Sequence, residues 1–152
     1  MENFNTPEEI INYAIQSEQE AHDFYMELSE LVKFNELKLI LKQFAAEELG
    51  HKQKLSRIIE NTDQTGLIQE SVVDMKMADY HVNIVPKKDM TYQDLLTIAM
   101  KKEKGAFKLY TDLANKISDQ NIKEIFLGLA QEEAKHKLRF EIEYDEYILK
   151  DN

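Results

Sequence analysis

Along most of this chain apolar residues return every three or four positions, the period of one buried face of an α-helix. Between residues 7 and 33 the seam is Ile11, Ala14, Glu18, Ala21, Tyr25, Leu28 and Val32. From about 35 to 61 it is Leu37, Leu41, Phe44, Leu55 and Ile58, and the two seam positions between Phe44 and Leu55 hold Glu48 and His51. From about 92 to 117 it is Leu96, Ala99, Glu103, Ala106, Tyr110, Leu113 and Ile117. A fourth seam, within 121–149, runs Ile122, Phe126, Leu129, Glu133, His136 and Phe140. Four long helices are therefore predicted, and each carries ionisable groups at mid-length, where the pattern calls for apolar ones.

The boundaries agree with this reading. Thr6-Pro7-Glu8-Glu9 has the form of a capping box with Pro at the first helical position, and Thr91 with Asp94 is a looser counterpart. A short connection near Asn35, and another before residue 121, makes two antiparallel hairpins. Between them lies a crossover, residues 62–90. Fully extended at about 3.3 Å per residue it could span roughly 95 Å, ample to run the length of a bundle. Alternation of Met75 with Met77, and of Tyr80, Val82 and Ile84, predicts an extended strip over the helices, with room for a short helix. Met75, Met77 and His81 read as packing residues of that strip rather than as soft-metal ligands, and His22 reads as a surface residue.

The two hairpins are copies. At an offset of 85 residues, 13 positions of 6–60 are identical in 91–145 without a gap, among them Glu18/Glu103, Tyr25/Tyr110, Glu47/Glu132, Glu48/Glu133 and His51/His136. Chance at ordinary composition gives about three or four. A duplication with an internal pseudo-two-fold is the economical account. The fold class is thus all-α: a four-helix bundle of two antiparallel hairpins, in one domain spanning 1–152.

Composition narrows the function classes. With 43% apolar residues the chain can bury a real core, and a net charge of −10 argues against nucleic acid, whose phosphates call for Lys and Arg. No apolar run approaches the roughly 18–20 residues of a membrane span, and "MENFNTPEEI" lacks a secretory leader's basic start and apolar block. The absence of Cys removes disulfides and thiolate metal sites and suits a reducing compartment, so a cytoplasmic location is expected.

Four carboxylates (Glu18, Glu48, Glu103, Glu133) and two imidazoles (His51, His136) then point into the core at one depth. A single E-x-x-H is common by chance, but six equivalent groups are a different matter. An unpaired buried charge costs several kcal/mol, and six would consume the roughly 5–15 kcal/mol that stabilises a domain. Two divalent cations balance four carboxylates, with neutral imidazoles completing the shells. Oxygen-rich ligation with one imidazole per metal suits Fe or Mn, is too carboxylate-rich for structural Zn, and carries more nitrogen than Mg or Ca prefers. Glu47 and Glu132, off the seam, are set aside in favour of Glu48 and Glu133.

One Glu from each of two helices and Glu-x-x-His from each of the other two is the pattern of ferritin-like carboxylate bundles. The chain resembles the rubrerythrin branch of that superfamily, in "AIQSEQEAHDFY" (14–25), "AMKKEKGAFKLY" (99–110), "EELGH" and "EEAKH". The resemblance implies a ferritin-like fold holding two iron ions, or Mn or a mixed pair. Glu18 and Glu103 would be terminal ligands and Glu48 and Glu133 bridges, with His51 on one metal and His136 on the other. Tyr25 and Tyr110 read either as plain core tyrosines or as donors that orient a ligand carboxylate. Ala14, Ala21, Ala99 and Ala106 ease helix packing or leave space for an oxidant beside the metals.

The sequence departs from rubrerythrins proper in two ways. It has no Cys-rich rubredoxin segment, so electrons would come from a separate rubredoxin-like donor. It also has Ala106 where those proteins carry an additional glutamate that serves when a metal changes ligand. The expected function is a di-iron oxidoreductase reducing hydrogen peroxide or dioxygen. Ferroxidase or iron-handling activity, and a non-catalytic metal-stabilised bundle, are the alternatives. Family likeness implies a homodimer; hairpin exchange through the crossover is a further way to build a site from two chains.

Overall fold

A computed structural model describes residues 4, 6–61, 75–82, 87 and 89–151. The Thr6 side chain accepts a hydrogen bond from Glu9 N at 3.1 Å, and with Pro7 at the first position it starts α1, Pro7–Leu31. α2 spans Asn35–Asn61. At Thr91 the pair that looks looser in sequence is a full reciprocal box, Asp94 N donating to Thr91 Oγ1 at 3.0 Å and Thr91 N to Asp94 Oδ2 at 3.2 Å. It opens α3, Tyr92–Asn115. Asp119 accepts from Ile122 N at 3.0 Å ahead of α4, Gln120–Asp151.

α1 and α3 stop two residues before the ends that periodicity predicts, at Leu31 and Asn115. Val32 already has extended backbone (φ −80°, ψ 151°), yet Val32 and Ile117 are buried. The seam tracks burial, and burial continues past the last helical turn because the departing chain folds an apolar residue over the end of the bundle.

α1 packs on α2 and α3 on α4, as short connections require. The apolar interior is in two lobes. One joins the start of α1 and the end of α2 to the end of α3 and the start of α4, around Ile11, Leu55, Leu113 and Phe126. The other joins the opposite ends, around Leu28, Leu41, Leu96 and Phe140. Between the lobes sits the layer of buried ionisable side chains.

The crossover lies on the helices where it is described, but not as an alternating strip. Met77–Asp79 is a turn of 3₁₀ helix, with Tyr80 N donating to Met77 O at 3.1 Å. Burial therefore falls on Met75 and Tyr80, and Phe4 N ties to Met75 O at 3.3 Å. The expectation for Ile84, and that for the stretch from 62 to 74, lies outside the described residues.

Candidate metal centre

Each helix sends its mid-length acid inward because that acid occupies a seam position, one or two turns from buried residues on the same face. None of Glu18, Glu48, His51, Glu103, Glu133 and His136 is more than 2% exposed. The structure brings all six together in two overlapping sets: Glu18, Glu48, His51 and Glu133, and Glu48, Glu103, Glu133 and His136. Within each set one ligand atom per residue lies within 4.8 Å of the others. Glu48 and Glu133 belong to both sets, the place a bridging carboxylate would take.

The atoms that converge are those left without hydrogen-bond partners: Oε2 of Glu18, Oε1 of Glu48, Oε2 of Glu103, Oε1 of Glu133, and Nδ1 of both histidines. His51 Nδ1 stands 2.9 Å from Glu133 Oε1 and 3.3 Å from Glu18 Oε2; His136 Nδ1 stands 3.2 Å from Glu48 Oε1. Once Nε2–H of His51 donates to Glu132, Nδ1 is a bare lone pair facing carboxylate oxygens. Lone pairs aimed at lone pairs in a water-poor core repel unless a proton or a cation sits between them. This donor set fits two metal ions of the Fe or Mn type.

Protonation gives the metal-free cluster part of that neutrality. Burial and the Glu103 charge push Glu133 up to about 7, and burial with the Glu133 charge raises Glu18. Burial, with the Glu133 and Glu18 charges added, holds Glu48 well above the usual carboxylate range; burial does the same to Glu103. For His51, burial pulls down but hydrogen bonds and charges of Glu133 and Glu18 outweigh it, giving about 10. His136 goes the other way, lowered by burial. Cations binding here displace protons.

Both tyrosines act on the cluster, across the hairpins. Tyr25 donates to Glu103 Oε1 and Tyr110 to Glu18 Oε1, each hydroxyl supplying a partner for a carboxylate of the other repeat. Seam periodicity placed each tyrosine on the same face as its own helix's acid; the crossed pairing depends on how α1 and α3 face each other across the bundle interior.

Glu47 and Glu132, which periodicity sets aside as ligands, have a place beside the centre. Glu132 bonds His51 Nε2, and Glu47 Oε2 lies 3.5 Å from His136 Nε2. Each partly exposed acid thus faces the histidine of the opposite hairpin, not the one four residues along its own helix. The available signal was their identity under the repeat. His22 is also not a plain surface residue: it is half-buried, with Nδ1 3.0 Å from Ala45 O.

A cavity of about 50 Å³ reaches the four carboxylates between α1 and α3, with Ala21 and Ala106 in its walls and Tyr80, His81 and Val82 of the crossover at its rim. The small side chains do leave space beside the centre. Among the described residues no helix is long and apolar enough to cross a membrane.

No curated protein sequence matches the chain significantly. In structure it is similar to a Thermotoga maritima protein described as ferritin-like and diiron-carboxylate, at a TM-score of 0.81 and 22% identity over 97% of this chain and 99% of that one. It is also similar to a hypothetical protein of Pyrococcus furiosus, at a TM-score of 0.73 and 26% identity over 91% of this chain and 87% of that one. The rubrerythrin family matches residues 9–88 and 94–152, both hairpins and the ligand-bearing stretches of all four helices. With its two lobes, crossed carboxylate–histidine layer and duplicated hairpins, the chain belongs to the rubrerythrin family.

Proposed function

We propose that the protein is a di-iron oxidoreductase that passes two electrons to hydrogen peroxide or dioxygen and is re-reduced by a separate carrier. Glu18, Glu48, His51 and Glu133 would hold one metal, and Glu48, Glu103, Glu133 and His136 the other. When bound, a ferrous pair supplies one electron per ion, so one peroxide, two electrons and two protons give two waters. The protein's own part is to hold the ligands, to keep bulk water out between two apolar lobes, and to leave a small approach. The observation that carries the reading is the cavity of about 50 Å³ opening onto all four carboxylates. A purely structural metal site has no need of such an approach.

Iron oxidation and release is the second reading, and Ala106 favours it. At the position where family likeness implies a switching carboxylate, the cavity wall is a methyl group. The test is to load two Fe²⁺ per chain without air and mix with peroxide or air in turn. Much faster oxidation by peroxide, at one peroxide per chain, supports the first reading. Faster oxidation by air, with iron turnover beyond the site, supports the second. A visible spectrum unmoved by either oxidant defeats both and leaves a metal-stabilised bundle.

A further inference from the structure

The cavity straddles the pseudo-two-fold, since its lining includes both members of the pairs Glu18/Glu103, Ala21/Ala106 and Glu48/Glu133. One approach therefore serves both metal positions, and one crossover passes over it. Three contacts fasten that crossover along α3. Tyr80 Oη donates to Asp112 at 2.8 Å, Lys108 Nζ stands over the Tyr80 ring at 5.0 Å, and Lys102 Nζ donates to Val82 O at 3.1 Å. Between these anchors Tyr80 O sits so close to α3 that a Cβ on Gly105 would meet it at 2.6 Å. Gly inside a helix costs about 1 kcal/mol relative to Ala, and close backbone approach is what it allows in return. Gly50 and Gly128, also helical, have nothing within 4 Å of such a Cβ.

The repeat supplies an internal control. Gly105 and Lys102 correspond to Glu20 and Ser17 of α1, so the seat for the crossover exists on one helix only, at positions where the two copies diverge. We propose that Gly105 and Lys102 are specificity-determining residues, which seat Tyr80–Val82 across the approach and make it a size filter for diatomic-sized oxidants. A water occupies roughly 10–15 Å³ measured in this way, so about 50 Å³ admits hydrogen peroxide or dioxygen with a water. It does not admit the ring of cumene hydroperoxide.

This inference rests on the oxidoreductase reading for its substrates, and it is tested with and without turnover. Full-length Fe²⁺-loaded protein is mixed with hydrogen peroxide and with cumene hydroperoxide. In each case the O–O bond takes two electrons from the ferrous pair and two protons, giving two waters, or alcohol and water. The native chain should prefer hydrogen peroxide by about 100-fold or more. In Gly105→Ala the preference should fall at least about tenfold, because the crossover must move off α3; Lys102→Met, which loses the Val82 tether, should shift it the same way by a smaller factor. The second arm uses Co²⁺-loaded protein, whose visible bands report azide and benzoate binding. Azide should bind all forms, and benzoate only the variants. Amide exchange at residues 80–82 should quicken in both variants. Equal handling of the two peroxides by the native chain overturns the proposal, as does an unchanged preference in both variants when amide exchange shows the crossover displaced. If neither peroxide reacts, the redox reading fails, and the azide and benzoate arm still decides the filter. Lys102→Met decides it if Gly105→Ala does not fold.

Discussion

His51 and His136 hold equivalent places in the repeat and unequal places in the molecule. His51 has its outer nitrogen bonded to Glu132, and its inner nitrogen lies 2.9 Å from Glu133. His136 keeps its outer nitrogen 3.5 Å from Glu47, without a hydrogen bond among the described residues, and stacks on Phe44 with ring centroids 4.0 Å apart. Phe44 corresponds to Leu129, so His51 has no ring of that origin beside it. The ligand types are the same in both copies because each metal position needs them. The residues that pack against the ligands diverged, and the ligands themselves sit unequally. Burial pulls His51 down but the Glu133 and Glu18 carboxylates outweigh it and raise it to about 10, while burial lowers His136. The two candidate ligand sets are therefore expected to bind metal with unequal strength.

The largest effect expected comes from breaking what the two positions share. Glu133→Ala should abolish binding at both, since Glu133 belongs to both ligand sets, whereas Glu18→Ala should remove one metal and leave the other. Metal content by elemental analysis after anaerobic loading decides this. Two metals retained by Glu133→Ala would refute the bridging assignment.

Next in size is the response of the metal-free protein to pH. Glu133 holds its proton to about 7 against an ordinary 4.5, so its contribution to stability is complete below 4.5 and lost as pH rises to about 7. That shift corresponds to about 3 kcal/mol. His51, raised to about 10 from 6.5, adds to the loss above 6.5, while His136, being lowered, costs stability on the acid side of 6.5. Between about pH 6 and pH 8 the Tm of chelator-treated protein should therefore fall, by roughly 10 °C for a chain of this length. With metal present the trend should reverse, because cations compete with protons for the same oxygens. A flat profile in both states would contradict the buried cluster.

Much of this was legible before any coordinates. Apolar periodicity located four helices to within about two residues and marked Glu18, Glu48, His51, Glu103, Glu133 and His136 as inward-facing, and all six are buried. Periodicity describes one helix at a time, however. Whether Glu132 meets His51 or its own neighbour His136 depends on how α2 and α4 lie side by side, and no single-helix pattern contains that. The same holds for Tyr25 reaching Glu103 and for Tyr80 lying on Gly105. The alternation read in the crossover misled because the 3₁₀ turn Met77–Asp79 interrupts it and buries none of its own residues, so burial falls on Met75 and Tyr80 at either side of the turn.

A finer effect sharpens the comparison of the histidines. A carboxylate on the outer nitrogen of a metal-binding histidine fixes its tautomer and raises its basicity, and losing it typically costs 10–100-fold in affinity. Titration of the native chain with Co²⁺ should then show two steps, the tighter at the His51 position. Glu132→Gln should weaken that step by about 10-fold or more and merge it with the second. Glu47→Gln should change the weaker step by less, its carboxylate being 3.5 Å away. Equal responses to the two substitutions would mean that the asymmetry seen around the imidazoles has no energetic weight.

The smallest expected effect tests the crossing of the repeats. Tyr25→Phe and Tyr110→Phe delete one hydroxyl each and leave the ring volume unchanged, so no cavity term enters. Each takes a donor from a buried carboxylate, which costs about 1–3 kcal/mol when the acceptor is left unmet, and denaturant unfolding of metal-free protein should show it. The informative part is which metal step moves. Tyr25 lies in the first hairpin but donates to Glu103, of the His136 position; Tyr110 lies in the second and donates to Glu18, of the His51 position. Tyr25→Phe should therefore weaken the looser step and Tyr110→Phe the tighter one, each tyrosine reporting on the other hairpin's metal. If each instead weakened the step of its own hairpin, the crossed donors would be packing contacts, and the two copies would act as independent ligand arms joined only through Glu48 and Glu133.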